Sequence, residues 1–161
     1  MGGSAGLLGA FQSAVQLRLP KKITLLLAIV ENAIGPKSVR HDDIITMKSG
    51  KTVEINNTDA EGRLILSDCV AHASTNIGKV DVILDMATLT GAVMVTTGGK
   101  HAGVLTKSKE LEDRMYNAGM KSGDFVFPLL YAPEFLKSEF DSKVAGTFVL
   151  FTGVRVHKHL I

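Results

Sequence analysis

Asp59, Glu61 and Arg63 stand at two-residue intervals in the run Asn56-Asn57-Thr58-Asp59-Ala60-Glu61-Gly62-Arg63-Leu64, where a polar loop gives way to helical sequence. Divalent cations take hard, ionised oxygen ligands, and a carboxylate pair at a rigid loop-to-helix junction supplies two of them. An arginine beside the pair can grip an anion bidentately or stabilise negative charge that develops during a reaction. The same letters have a plainer reading. Thr58-x-x-Glu61 fits a capping box, in which both side chains satisfy the free amides of a helix N-terminus. Residue types and spacing leave both readings open.

Other chemistry-bearing residues are weaker candidates. His157 and His159 alternate on an expected strand and could share a metal, but a solvated polar tail is the favoured reading. Gly2-Gly3-x-x-Gly6 opens a helix as a phosphate cradle does, yet no strand precedes it, which favours close helix packing over a nucleotide motif. Cys69 falls in an apolar helical stretch and reads as a small core residue rather than a nucleophile. Asp42-Asp43 and Glu110 to Asp113 read as solvated surface. Phe125, Phe127, Phe135, Phe140, Phe148 and Phe151 read as core rather than as a stacking platform for nucleic acid.

The elements that must position these groups follow from periodicity and breakers. Ser4 can cap a helix to about Arg18, with Leu7, Leu8, Phe11 and Val15 on one face and Pro20 as the stop. Ile23 to Val30 is apolar without alternation, which predicts a strand covered on both faces. Glu31 to Lys37 is a loop. Ile44 to Met47 and Thr52 to Ile55 flank a Lys48-Ser49-Gly50-Lys51 turn as a hairpin. A helix is expected from Glu61 to Asn76, and a second buried strand over Val80 to Met86, beside Ile23 to Val30. Glycine- and threonine-rich sequence fills Thr88 to Gly99, and a short strand follows at Gly103 to Thr106. Ser108 caps a helix ending near Gly119. Phe125 to Tyr131 contains Pro128, so it belongs at an edge or in a loop. Pro133 to Lys143 reads as helical and Thr147 to Val156 as a strand. Alternating strands and helices predict an α/β fold, three layers α/β/α around a mixed, mostly parallel sheet.

Composition narrows the classes. The 161 residues are 45% hydrophobic and 21% charged, which excludes a disordered tail or a fibre and suits one domain. A net charge of +2 gives no basic field to recruit nucleic acid or an acidic membrane. One cysteine excludes an internal disulfide and fits a reducing compartment. The longest apolar run is far short of a bilayer, the first residues lack a positively charged leader region, and the myristoylation-like start has Gly6 where serine or threonine is wanted. A cytoplasmic protein without membrane or nucleic-acid partners is the expectation.

Asn57-Thr58-Asp59-Ala60-Glu61-Gly62-Arg63-Leu64 resembles the signature octapeptide of the leucine aminopeptidase (cytosol aminopeptidase) family. Thr52-Val53-Glu54, Ser67-Asp68 and Ala87-Thr88-Leu89-Thr90-Gly91-Ala92 agree in order and approximate spacing. Met1-Gly2-Gly3-Ser4-Ala5-Gly6 is similar to the family's small-residue helix start, and Glu31-Asn32 to the loop after its next strand. The likeness runs from residue 1 to about 145, as a partial catalytic domain, and residues 146–161 diverge. After Val144-Ala145 the family continues with an aspartate and a glycine-rich helix, whereas Gly146-Thr147-Phe148 stands here.

The resemblance implies a metallo-aminopeptidase that releases N-terminal residues from peptides with two divalent ions, zinc or manganese. It implies Asp59 and Glu61 as metal ligands, with Glu61 bridging. Arg63 would be catalytic, holding a bicarbonate-like anion, and Thr88, Leu89 and Gly91 would bind substrate through backbone groups. It also implies a homo-oligomer, hexameric in the family. The family's remaining ligands, a lysine and two aspartates, and its catalytic lysine precede the helix that opens this chain, and Lys21 and Lys22 follow it. This chain alone is therefore expected to be inactive. The alternatives are a non-catalytic remnant that binds peptide or partner subunits, and a phosphate-binding module built on the opening glycines.

Overall fold

A computed structural model describes residues 1–136, 140–148 and 154–157. The first helix, α1 (Gly2–Gln16), begins two residues before Ser4, with Met1 at the N-cap and no side-chain cap. Packing, rather than capping, sets where it lies. A Cβ at Gly3 would come within 2.5 Å of the Ala87 Cα and 2.6 Å of the Met86 carbonyl oxygen, and one at Gly6 within 3.1 Å of the Met86 sulfur. The opening glycines thus let a helix lie directly on the Met86–Thr88 backbone, the packing role expected of them.

Ile23 to Val30 departs from expectation. It has no regular secondary structure, and Ile29 and Val30 are 83% and 56% exposed. A strand exists only through ladder partners, and no described strand lies beside this run. Val80 to Met86, expected next to it, contributes only the two-residue strand β3 (Ile83–Leu84), half-exposed at Leu84. Its partner is instead a strand from the end of the chain. The reading of two neighbouring, doubly covered central strands is therefore corrected.

The α/β class stands, and its strands fall into two small sheets. In the first, β1 (Ile44–Thr46) and β2 (Thr52–Glu54) form the expected antiparallel hairpin, Ile45 opposite Val53. Its turn is closed by the Gly50 N–H donating to the Met47 carbonyl at 2.8 Å. The third strand, β6 (Thr147–Phe148), adds parallel to β2, and its approach is pinned by the Ser142 hydroxyl donating to Glu54 Oε2. After β2, a single 3-10 turn at Thr58–Ala60 leads into α2 (Glu61–Asn76), whose bounds match the sequence reading.

The second sheet runs from β3 through Val154–His157 and Ala102–Leu105 to Val126–Pro128. Here β4 (Ala102–Leu105) runs parallel to β5 (Val126–Pro128), the two connected by helix α4 (Lys109–Ser122). Parallel neighbours need such a crossover. Ser108 caps α4, its hydroxyl accepting from the Leu111 N–H. Gly123 closes the helix in the left-handed region at φ +81, so α4 runs three residues past the expected end. Pro128 sits on the edge strand, as its missing N–H requires. A short helix α3 (Ala92–Thr97) precedes β4, and α5 (Pro133–Leu136) follows β5.

The last strand, β7 (Val154–His157), pairs antiparallel with β3 and parallel with β4. The strand expected over Thr147 to Val156 is thus two strands in different sheets, with 149–153 outside the described residues. The helix expected over Pro133 to Lys143 is four residues long in its described part, with 137–139 likewise outside. So are Phe151 and His159, which leaves the histidine pair there.

Two separate cores result. Met47, Val53, Ile55 and Ala60 form one, with Leu64 against it, where the hairpin meets α2. Val104 and Leu111 form the other, with Met115 and Val126 packed on them. Three of the phenylalanines expected in the core are not there: Phe125, Phe127 and Phe135 are 38%, 52% and 76% exposed, on or beyond an edge strand with nothing described across it.

The α1 contact predicts a sign. Gly3→Ala should destabilise by roughly 1–3 kcal/mol, because backbone atoms must move apart. Gly9→Ala has nothing within 4 Å of its new Cβ and should stabilise by about 0.5–1 kcal/mol through helix propensity. Urea midpoints check both, and equal midpoints for the two variants would refute the close approach.

Candidate functional site

The junction between β2 and α2 places the carboxylates. Ile55, fully buried, anchors the chain as it leaves β2. Asn57 then turns extended (φ -149, ψ 110), and its side-chain oxygen accepts the Asp59 N–H at 2.9 Å. Ala60, 4% exposed, fastens the other end of the turn in the same core. The capping box does not form. The 3-10 turn shifts the helix start to Glu61, Ala60 takes the cap position without a side-chain bond, and Thr58 is not the cap. Glu61 is therefore released from backbone duty, and its Oε1 accepts instead from Asn32 Nδ2 at 3.1 Å.

Asp59 and Glu61 line one wall of a cleft of about 870 Å³. From Glu61 the wall continues along α2 through Leu64, Ile65, Asp68, Cys69 and His72, the stripe of a helical period. The opposite wall is the irregular run from Leu26 to Ala33, and Ile45, Met47 and Val39 close the floor. Apolar surface thus faces a rim bearing Glu31, Asp59, Glu61 and Asp68, balanced by Lys37 and Lys48. Asp68 also ties the hairpin turn to α2, its Oδ1 accepting the Lys48 N–H at 2.8 Å.

The remaining sequence candidates lie beside the cleft rather than in its lining. Arg63 is half-buried on α2. Thr88 accepts from the Met1 amine at 2.9 Å, and Gly91 caps α3. Leu89 reaches the first turn of α2, its Cδ1 standing 2.9 Å from where a Gly62 Cβ would be. The 88–91 segment therefore adjoins the octapeptide through Gly62, between Glu61 and Arg63.

The donor chemistry at Asp59 and Glu61 fits a hard divalent cation in kind. In number it supplies part of a coordination shell, since the described residues contain no group of three or more His, Cys, Asp or Glu placed to hold a metal. Residues that the sequence reading did not single out as site residues include Asn32, Asp68 and His72. Asp68 and His72 follow the helical stripe from Glu61, and Asp68 also stands in the Ser67-Asp68 likeness to the family, whereas Asn32 joins the site across 29 positions and its sequence signal is the Glu31-Asn32 likeness to the family's loop.

The family model for the cytosol aminopeptidase family, catalytic domain, matches residues 1–149. The chain belongs to that family. It is 52% identical over 144 residues to the human protein named probable aminopeptidase NPEPL1, covering 89% of this chain and 27% of that one. Leucine aminopeptidase 1 of Caenorhabditis elegans is 46% identical over 145 residues, 90% of this chain and 29% of its own. The apo leucyl aminopeptidase of Trypanosoma brucei superposes with a TM-score of 0.92 at 43% identity, over 98% of this chain and 36% of that chain. This family member thus spans somewhat over a quarter of the length of the curated relatives it matches.

The cleft also sets the character of Cys69. Burial raises its thiol pKa above the ordinary value, and the Asp68 carboxylate beside it adds to the rise. A smaller thiolate fraction means slower alkylation. Iodoacetamide at pH 8 should modify native Cys69 more slowly than an unstructured cysteine peptide, and urea should abolish the difference. Equal native rates would contradict this environment.

Proposed function

We propose that this chain carries the carboxylate ligands of a metal-dependent aminopeptidase acting on peptides, with Asp59 and Glu61 holding divalent metal. The observation that carries the reading is their shared wall on a cleft that also presents apolar surface from Leu26 to Val30, Val39, Ile45 and Met47. A carboxylate rim attracts the ammonium of a peptide N-terminus, and the apolar surface accepts its first side chain. Two ions, zinc or manganese, would activate a water and polarise the scissile carbonyl. Around them, Asn57 and Ala60 hold the turn, Arg63 offers a guanidinium to a bicarbonate-like anion, and Thr88, Leu89 and Gly91 offer backbone groups to the substrate.

The reading extends to a cytoplasmic homo-oligomer. Among the described residues no helix is long and apolar enough to cross a membrane. Exposed Ile29, Val30, Ile34 and Val95 supply apolar surface for association.

Two expectations test this. In a protein of the relatives' length carrying this sequence, Glu61→Ala should lower kcat/KM on leucine amide by more than about 10³-fold, the scale of losing a main electrostatic stabiliser, with the melting temperature little changed. Survival of activity would remove Glu61 from the chemistry. Residues 1–161 alone, given manganese or zinc, should show no turnover above the blank, because two carboxylates do not hold two ions in fixed positions. Turnover comparable to an intact relative would overturn that.

A further inference from the structure

Asn32 makes two hydrogen bonds that together have a direction. Its Oδ1 accepts the N–H of Ala33 at 2.9 Å, and its Nδ2 donates to Glu61 Oε1 at 3.1 Å. An amide has one acceptor end and one donor end. The backbone N–H claims the oxygen, so the NH2 group must face the carboxylate. The local backbone of the 32–33 turn therefore fixes the rotamer that addresses Glu61. Asn32 also stands at the end of the run from Leu26 that forms the wall opposite α2, and both Asn32 and Glu61 line the cleft. A single contact bridges the two walls at the carboxylate.

We propose that Asn32 is a positioning residue for Glu61, holding its carboxylate through the hydrogen bond to Oε1 in the orientation that faces divalent metal in the cleft. This rests on the reading of Asp59 and Glu61 as cation ligands. A glutamate has three rotatable side-chain torsions, and a ligand that must be ordered on binding loses affinity in proportion. An amide donor holds the carboxylate in place beforehand and, being neutral, adds no charge that would compete with the cation. An aspartate at position 32 would have no donor in its ionised form and would repel Glu61. Partners that orient a metal ligand in this way are typically worth 10–100-fold in metal affinity.

The test uses a protein of the relatives' length carrying this sequence and manganese alone, with loss of the free-ion electron paramagnetic resonance signal reporting binding. Asn32→Ala should raise the manganese Kd by about 10–100-fold and leave the metal-free melting temperature close to the parent's, since both bonds it removes are solvent-exposed. Glu61→Gln should weaken binding on its own, and adding Asn32→Ala to it should produce no further loss, because the carboxylate that Asn32 orients is gone. A structural role for Asn32 would give the same loss in both backgrounds, and that result overturns the proposal. So does a Kd for Asn32→Ala within twofold of the parent's while Glu61→Gln loses binding, an outcome that leaves the ligand reading intact. If Glu61→Gln binds as the parent does, or the parent shows no saturable binding, the ligand reading fails and the positioning role falls with it.

Discussion

The hydrogen bond from the Asp59 N–H to the Asn57 side chain governs the geometry of this molecule's chemistry. It closes one tight turn between β2 and α2, and the buried residues on either side, Ile55 and Ala60, prevent that turn from sliding. A slip of one residue would rotate the start of α2 by about 100°, given 3.6 residues per turn, and would carry Glu61 off the cleft wall. The polar bond sets the local conformation, and burial of Ile55 holds it there. Full burial of one aliphatic side chain is worth roughly 1.5–3 kcal/mol, more than the ~1 kcal/mol net of one hydrogen bond. The core supplies most of the stability and the cap supplies the aim.

Freedom of Glu61 depends on that aim. In a capping box its carboxylate would fold back on the backbone and be spent on a helix amide. The 3-10 turn makes Glu61 the first residue of α2 instead, where the helix dipole still favours a negative charge without binding its oxygens. The side chain is then open to Asn32 across the cleft. Capping and ligation compete for the same two oxygens, and one extra turn of tight helix decides between them.

Legibility from sequence divides along the same physical line. The hairpin, the bounds of α2, the Ser108 cap and the edge position of Pro128 are local events, written in turn residues and periodicity, and they were readable. The octapeptide was readable too, because its residues are neighbours. What was not readable depends on distant partners. Ile23 to Val30 has the letters of a doubly covered strand, but pairing is a property of two segments, and β3 pairs with β7 from the far end of the chain. Phe127 and Phe135 have core letters and lie exposed for want of a facing layer. The pairing of Asn32 with Glu61 was not readable for a similar reason, since the two are 29 residues apart.

The apolar run therefore has a double character. As a strand it is unsatisfied, with Ile29 and Val30 largely in water. As a wall of the cleft it delivers Asn32 to Glu61 and closes the apolar side of the site. The superposition on the Trypanosoma brucei enzyme covers 98% of this chain. Its fold is reproduced at a TM-score of 0.92 even where ladder bonds are lacking. Site geometry in this family member depends first on the hairpin, the turn and α2, a unit with its own small core.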